Sequence, residues 1–447
     1  PNRGNAGGIV TGTRVRVLAI AVLVMALGIA LAELTPSGTF FTRTAQDYYG
    51  WQTDAYLSGQ LHLKIAPPAA MLALENPWST ANAPYYIRDL ALYDGRYFVY
   101  SGIAPILTVM APIRLITGWF ATEVFASVVL ALTGCLATLA FLGEVRAQCS
   151  WNGPRLIGAL TVLMTMVGNG AVCWLAETGN TQLAAISGWA YQALMLWAGM
   201  RAVRSAHPTR WLAAASVAFG LSVASRPSLL FAGAALIPFG WAVWRNAAAP
   251  KPTTAVAAAV LGPAAIIGAG LAWLNAVRFG SPWDFGIRFT LTHWGDTRDF
   301  VFFDASFVLP NLRAYLFSAP TVTRAWPFVE VGWREPVGAL FLPYLVGVLG
   351  LRKWWRTSAP ESVARVAMAA AMVLFVGNAG PLLVWIVHWS RYWLDLLVPA
   401  TLLASMGWLA ISDQAPVVAA RRWGMVALSA AVINVLMIAA VFFETLD

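Results

Sequence analysis

Between Thr253 and Val277 the chain carries twenty-five residues without a single charge, and Val17–Leu34 holds one charge in eighteen. An α-helix rises 1.5 Å per residue, so about twenty apolar residues cross the hydrocarbon core of a bilayer. Runs of this length restrict a chain to membrane-spanning helices, because lipid offers no partner to an unpaired backbone group. Similar runs predict spans at 17–34, 122–144, 155–173, 184–203, 211–225, 228–244, 253–277, 337–351, 363–387, 394–412 and 423–443. The expectation is an all-α polytopic membrane protein with about 11 transmembrane helices, in one integral membrane domain over 1–447. Composition agrees: 11% of residues are charged, against roughly 25% in soluble domains.

The first run has a basic flank, as a signal peptide does, but it is too long for an h-region and Ala32-Glu33-Leu34 is a poor cleavage site. It is therefore expected to be a retained helix. Basic residues fall in small clusters between the runs. With a cytoplasmic N-terminus, sixteen of them lie in short inner segments, against three acidic residues, Glu144, Glu361 and Asp413. The positive-inside rule then places the C-terminus outside. The scattered placement of the net +9 charge argues against a nucleic-acid partner. The three cysteines, Cys135, Cys149 and Cys173, form neither a disulfide framework nor a zinc motif.

Two outer-face loops, 35–121 and 278–336, are too long to be mere connectors and are expected to carry function and juxtamembrane helices. Ile103–Thr117 is apolar but holds Pro105, Pro112 and Arg114, and is expected to lie at the interface without crossing. The first loop opens Gln46-Asp47-Tyr48-Tyr49-Gly50-Trp51-Gln52-Thr53-Asp54. Spacing of seven sets Asp47 and Asp54 on one helix face among aromatics. A half-buried carboxylate suits a general base, whereas the structural alternative is a helix cap or a pair with Arg43. Further on, Asp94-Gly95 between alternating segments predicts a hairpin, and Arg88 ahead of it is a candidate anion ligand.

Arg226 and Arg391 stand at the outer ends of apolar runs. Each either pairs with an acid, Asp395 being one turn from Arg391, or binds a lipid-linked phosphate. The second loop brings Arg278 and His293 amid aromatics that suit a sugar face or an interfacial belt. P-loop, dinucleotide, zinc and nucleophile-elbow signatures are missing from the sequence.

In their order, Tyr93-Asp94-Gly95-Arg96-Tyr97 with Gly102 and Pro105, Ser225-Arg226-Pro227, Arg278-Phe279-Gly280-Ser281-Pro282 and Ser390-Arg391-Tyr392 resemble the GT-C superfamily of membrane glycosyltransferases, in its bacterial branch. The resemblance implies a polyprenyl-phosphate-linked sugar donor, with transfer on the outer face of a bacterial inner membrane to a glycan, lipid or protein acceptor. In that family the first outer loop carries the catalytic acid, which here matches Asp47. Asp54 is expected to support it, with Tyr48, Arg88, Arg226, Arg278, Arg391 and His293 as candidates about the substrate, His293 having a structural role as its alternative. Asp47 is followed by Tyr48 rather than by a second acid, which leaves a divalent metal cofactor open. Membrane transport, lipid flipping and a non-catalytic role in envelope assembly are the alternatives. Span centres almost free of charge count against ion-coupled transport.

Overall fold

In a computed structural model of the chain, the residues described are 40–148, 179–246, 252–318 and 362–412. Shorter pieces are described at 26, 158–160, 164, 321–324, 329–330, 348, 351–352, 355–356, 417–426, 428–429 and 432. The expected spans at 17–34, 155–173, 337–351 and 423–443 lie wholly or mostly outside these residues, as do Cys149 and Cys173.

Helix follows helix along the chain. After α1 (Tyr48–Leu57) comes a hairpin of β1 (Ala91–Tyr93) and β2 (Arg96–Phe98), then α2 (Ile106–Thr117), α3 (Glu123–Gln148), α4 (Asn180–Arg204), α5 (Pro208–Ser225) and α6 (Pro227–Trp244). There follow α7 (Thr253–Phe279), α8 (Val308–Phe317), α9 (Val363–Leu383) and α10 (Trp393–Ser412). Four of the described helices, 123–147, α6, α7 and α9, are long and apolar enough to cross a membrane. At 1.5 Å per residue α2 reaches about 18 Å, short of the roughly 30 Å core. Its turns at Ile106, Val109 and Met110 are buried against the bundle, and Gly118 ends it in the left-handed conformation.

Within the bundle α4 is the central helix, with Leu183, Ile186, Trp189, Leu196 and Met200 fully enclosed. It runs parallel to α3: Gly134 lies against Trp189, and at the far end Glu144 takes both Arg201 and Arg204. By contrast α7 shows most of its apolar face to the surroundings, with Leu261, Ile266 and Trp273 exposed, as a lipid-facing helix should.

The hairpin forms as its turn chemistry dictates. Asp94 and Gly95 have φ of 49° and 67°, a two-residue loop whose twist matches the strands, and Ala91 pairs with Phe98. Beneath it Tyr48, Leu63, Met71, Leu90, Leu92 and Tyr97 make a small core, which Leu291 of the second loop completes.

The two large loops are therefore one unit rather than two. Asp89 N–H donates to Leu291 O (2.9 Å) and Leu291 N–H to Leu90 O (2.8 Å), a bridge that the sequence does not signal. Trp78 Nε1 donates to Phe289 O at 3.0 Å. Asn76 Nδ2 donates to Asp296 Oδ2 at 3.0 Å, while Arg298 holds Asp296 and also Asn76 Oδ1.

The hydrogen bonds from Arg298 hold the Asp296 carboxyl down at about 2, below its ordinary 3.8. A depressed carboxylate stabilises the fold above its unfolded value and loses that contribution as pH falls through the folded one. Asp296→Asn should therefore melt below the parent protein at pH 7. Followed by thermal unfolding, the gap should narrow below about pH 4 and close near pH 2.

Candidate functional site

Where the loop unit meets the bundle, two charged clusters form, and they differ in character. The first is a closed knot. Asp47 sits just before α1 as its N-cap, Oδ1 accepting from Gly50 N–H at 2.9 Å, with the carboxylate only 2% exposed. Arg43 binds Asp47 through Nε and Asp54 Oδ2 through Nη1 (3.0 Å). Both structural roles weighed for this pair thus occur together. Gly50 is required here, since a Cβ would fall 2.0 Å from Asp47 Oδ2 and 2.5 Å from Arg43 Nη2. Burial pushes the Asp47 carboxyl above its ordinary value, and Arg43 pulls the other way. Glu123, the first residue of α3, lies beneath and accepts from Tyr49 N–H at 2.9 Å. An acid at the head of an apolar run is the one sign of this contact in the sequence.

Could this knot hold a divalent cation? The Arg43 guanidinium already lies between the two carboxylates and takes an oxygen of each. Among the described residues no cluster of three or more His, Cys, Asp or Glu side chains is placed to bind a metal. The knot, with Arg43 between its carboxylates, does not fit a metal.

Openness marks the second cluster. Tyr48 reaches into it from α1, its hydroxyl donating to Arg88 O at 2.8 Å. Asp89 has φ of 61°, unusual for a residue with a side chain and not explained by a two-residue turn as Asp94 is. The backbone bridge to Leu291 holds it there. Its side chain is about a third exposed (36%), with Arg88 Nε at 3.7 Å. Partial burial raises the Asp89 carboxyl, and the nearby Arg88, Arg391 and His293 oppose that shift. The hydroxyl of Tyr100, raised by burial, feels Asp89 and Arg391 as well.

Arg391 lies in the single turn Ser390–Tyr392 that leads into α10, with its guanidinium 3.8 Å from the Trp389 ring centre and 5.3 Å from that of Tyr392. Trp294, next to the exposed His293, faces Trp389 at 6.4 Å between ring centres. Asp395 does not pair with Arg391, although the two are one turn apart. It turns into the bundle and binds Arg226 Nη1 through both oxygens, at 2.7 and 2.5 Å. The reason is direction: Asp395 is in the first turn of α10 on its buried side, where Arg226 ends α5.

Arg278 departs from its expected place about the substrate. It is 4% exposed, donates to Val99 O behind the hairpin and packs over Phe279. In this structure it anchors β2 and faces no open space. The cluster thus unites Tyr48, Arg88, His293 and Arg391 of the expected residues, with Arg226 one layer beneath, and adds Asp89, Tyr100 and Tyr392. Asp47 and Asp54 stand beside it in the knot.

The geometry separates the two helix-end arginines. Arg226→Ala leaves the Asp395 carboxylate buried without its cation, which should cost about 3–5 kcal/mol. Arg391→Ala leaves no buried charge unpaired and removes ring contacts worth about 0.5–1 kcal/mol each at such a site. Thermal unfolding of both variants in one detergent should order them accordingly.

No protein-family model matches the chain, and no curated protein matches its sequence. Among solved structures, the Archaeoglobus fulgidus oligosaccharyltransferase in complex with Zn and sulfate aligns with a TM-score of 0.52 and 15% identity. That alignment covers 94% of this chain and 53% of the other, so the chain spans about half that protein's length. ArnT from Cupriavidus metallidurans, bound to undecaprenyl phosphate, aligns with a TM-score of 0.51 and 14% identity, covering 98% of this chain and 78% of ArnT. Both are GT-C glycosyltransferases, and likeness at such identities speaks for the fold. By the course of its chain this is a membrane protein with the GT-C glycosyltransferase fold.

Proposed function

We propose that the chain is a glycosyltransferase that moves a sugar from a polyprenyl-phosphate-linked donor to a glycan, lipid or protein acceptor. The full architecture we propose has about eleven spans, a cytoplasmic N-terminus and the loop unit on the outer face of a bacterial inner membrane. The observation that carries the reading is the gathering of Arg88, Asp89, His293 and Arg391 around Trp294 and Trp389, where both loops meet the helix ends. Charge of that kind, set in a partly desolvated place beside aromatic faces, suits a sugar phosphate. ArnT, which shares the fold, is bound to undecaprenyl phosphate.

In the reaction, the bond from sugar C1 to the phosphate oxygen breaks as the acceptor oxygen bonds to C1. The acceptor proton passes to a carboxylate, and polyprenyl phosphate leaves. Arg391 and Arg88 would stabilise the charge that grows on the leaving phosphate. Trp389, Trp294 and Tyr392 offer faces to the sugar ring.

The base we propose is Asp47, at the head of the first loop, whose burial raises its affinity for a proton. One observation favours a second reading, in which the proton goes to Asp89. Of the two carboxylates, Asp89 is the one open to an acceptor and facing the arginines.

Two isosteric variants decide between them. Asp47→Asn keeps the helix cap, because Asn caps as well as Asp does. With Asp47 as base, this variant should bind donor normally and lose about 10²–10⁴ in turnover, while Asp89→Asn stays near normal. The opposite pattern gives the role to Asp89, and near-normal turnover in both removes general-base catalysis from this site. Arg391→Ala should weaken donor binding by about 1.5–3 kcal/mol, read by titration of a lipid-linked sugar.

A further inference from the structure

An apolar groove of about 580 Å³ opens on the bundle between α9 and α10, and it shares no residue with the cluster above. Met368, Met372, Phe375 and Val376 of α9 line it, spaced three and four residues apart and so on one face. Ala400 and Leu403 of α10 form the opposite wall. Three residues in the stretch before α9 stand at its mouth: Arg352, Trp355 and Arg356, all exposed. Arg365, on the first turns of α9, holds this mouth in place by donating Nε (2.8 Å) and Nη2 (2.6 Å) to Trp355 O.

Direction and length both matter. The other end of α9 belongs to the loop unit, since Asn311 Nδ2 of α8 donates to the carbonyls of Leu382, Leu383 and Trp385. The basic mouth therefore opens at the end of the bundle opposite the large loops. From Arg365 to Val376 the helix rises about 16 Å. One leaflet is half of a hydrocarbon core of about 30 Å. The groove is thus one leaflet deep, apolar along its length, with arginine and an interfacial tryptophan where headgroups lie.

We propose that this groove is a binding site for an anionic phospholipid of the leaflet opposite the large loops. One acyl chain lies along Met368, Met372 and Phe375, and the phosphate rests on Arg352 and Arg356. The assignment is independent of the reaction catalysed at the other end. Two methionines in the wall suit an occupant of variable chain shape, because their side chains repack easily.

The test uses the full chain in nanodiscs with a phosphatidylglycerol probe carrying a photoreactive group midway along one acyl chain. Adducts mapped by mass spectrometry should concentrate on Met368, Met372, Phe375 and Leu403. Each basic side chain beside an anionic headgroup is worth roughly fivefold in binding, so unlabelled phosphatidylglycerol should compete at least about tenfold better than phosphatidylcholine. Arg352→Gln with Arg356→Gln should lower labelling by about 25-fold. Leu403→Trp, which fills the groove and leaves both arginines, should do the same and guards against a loss due to misfolding. Labelling spread evenly along α7, equal competition by phosphatidylcholine, or stronger displacement by undecaprenyl phosphate than by phosphatidylglycerol would each overturn the assignment.

Discussion

Everything at the working end of this bundle hangs on the ion pair of Arg226 with Asp395. Asp395 is 1% exposed, and a carboxylate in such a place is tolerable only with a cation and its hydrogen bonds supplied. Arg226 supplies both, from 169 residues away. The peptide carbonyl of the same Asp395 accepts from Asn378 Nδ2 (2.7 Å), and Asn378 exchanges two 3.0 Å hydrogen bonds with Gln192. One polar layer therefore ties α4, α9 and α10 to the end of α5. Apolar helices surrounded by lipid can slide along one another at little cost, and such a layer fixes their relative height.

The loop unit is seated on that layer. Gly102 lies against the last carbonyls of α5, where a Cβ would come 2.1 Å from Ser225 O, and its own carbonyl accepts from Tyr49 Oη at 2.9 Å. The end of the hairpin segment thus touches the start of α1 and the Arg226 turn at once. Motifs far apart in the chain meet here, which gives a physical reason for them to occur together. The two charged clusters divide the work that follows. In the knot, Arg43 spends its donors on two carboxylates. In the open cluster, Arg88 pairs with the partly exposed Asp89 at 3.7 Å, and Arg391 lies over the rings of Trp389 and Tyr392.

How much of this could be read from the residues depended on the range of each interaction. The hairpin at Asp94-Gly95, the capping of α1 by Asp47 and its pairing with Arg43 were legible because each is settled within a dozen residues. The apolar runs at 123–147, 253–279 and 363–383 were legible because lipid demands them. The partner of Asp395 was not, since proximity in sequence favoured Arg391 and only the tertiary fold sets Arg226, at the end of α5, beside the start of α10. The conformation of Asp89 was not legible either, because its backbone is held by Leu291, in the other loop. Arg278 misled for a similar reason: the hairpin that buries it comes 179 residues earlier.

The stitching of the two loops bears on how the protein is made. Trp78 waits for Phe289, 211 residues later in the chain. At roughly 5–20 residues per second, translation takes about 10–40 s to cover that distance. During this time the first loop has left the ribosome while its small core still lacks Leu291, and Leu90 and Asp89 have no strand partner on that side. Helices α3 to α7 must be inserted before the missing piece arrives. The first loop is thus synthesised well before the segment that completes it, and its unpaired edge is exposed to any factor that binds extended backbone in the meantime.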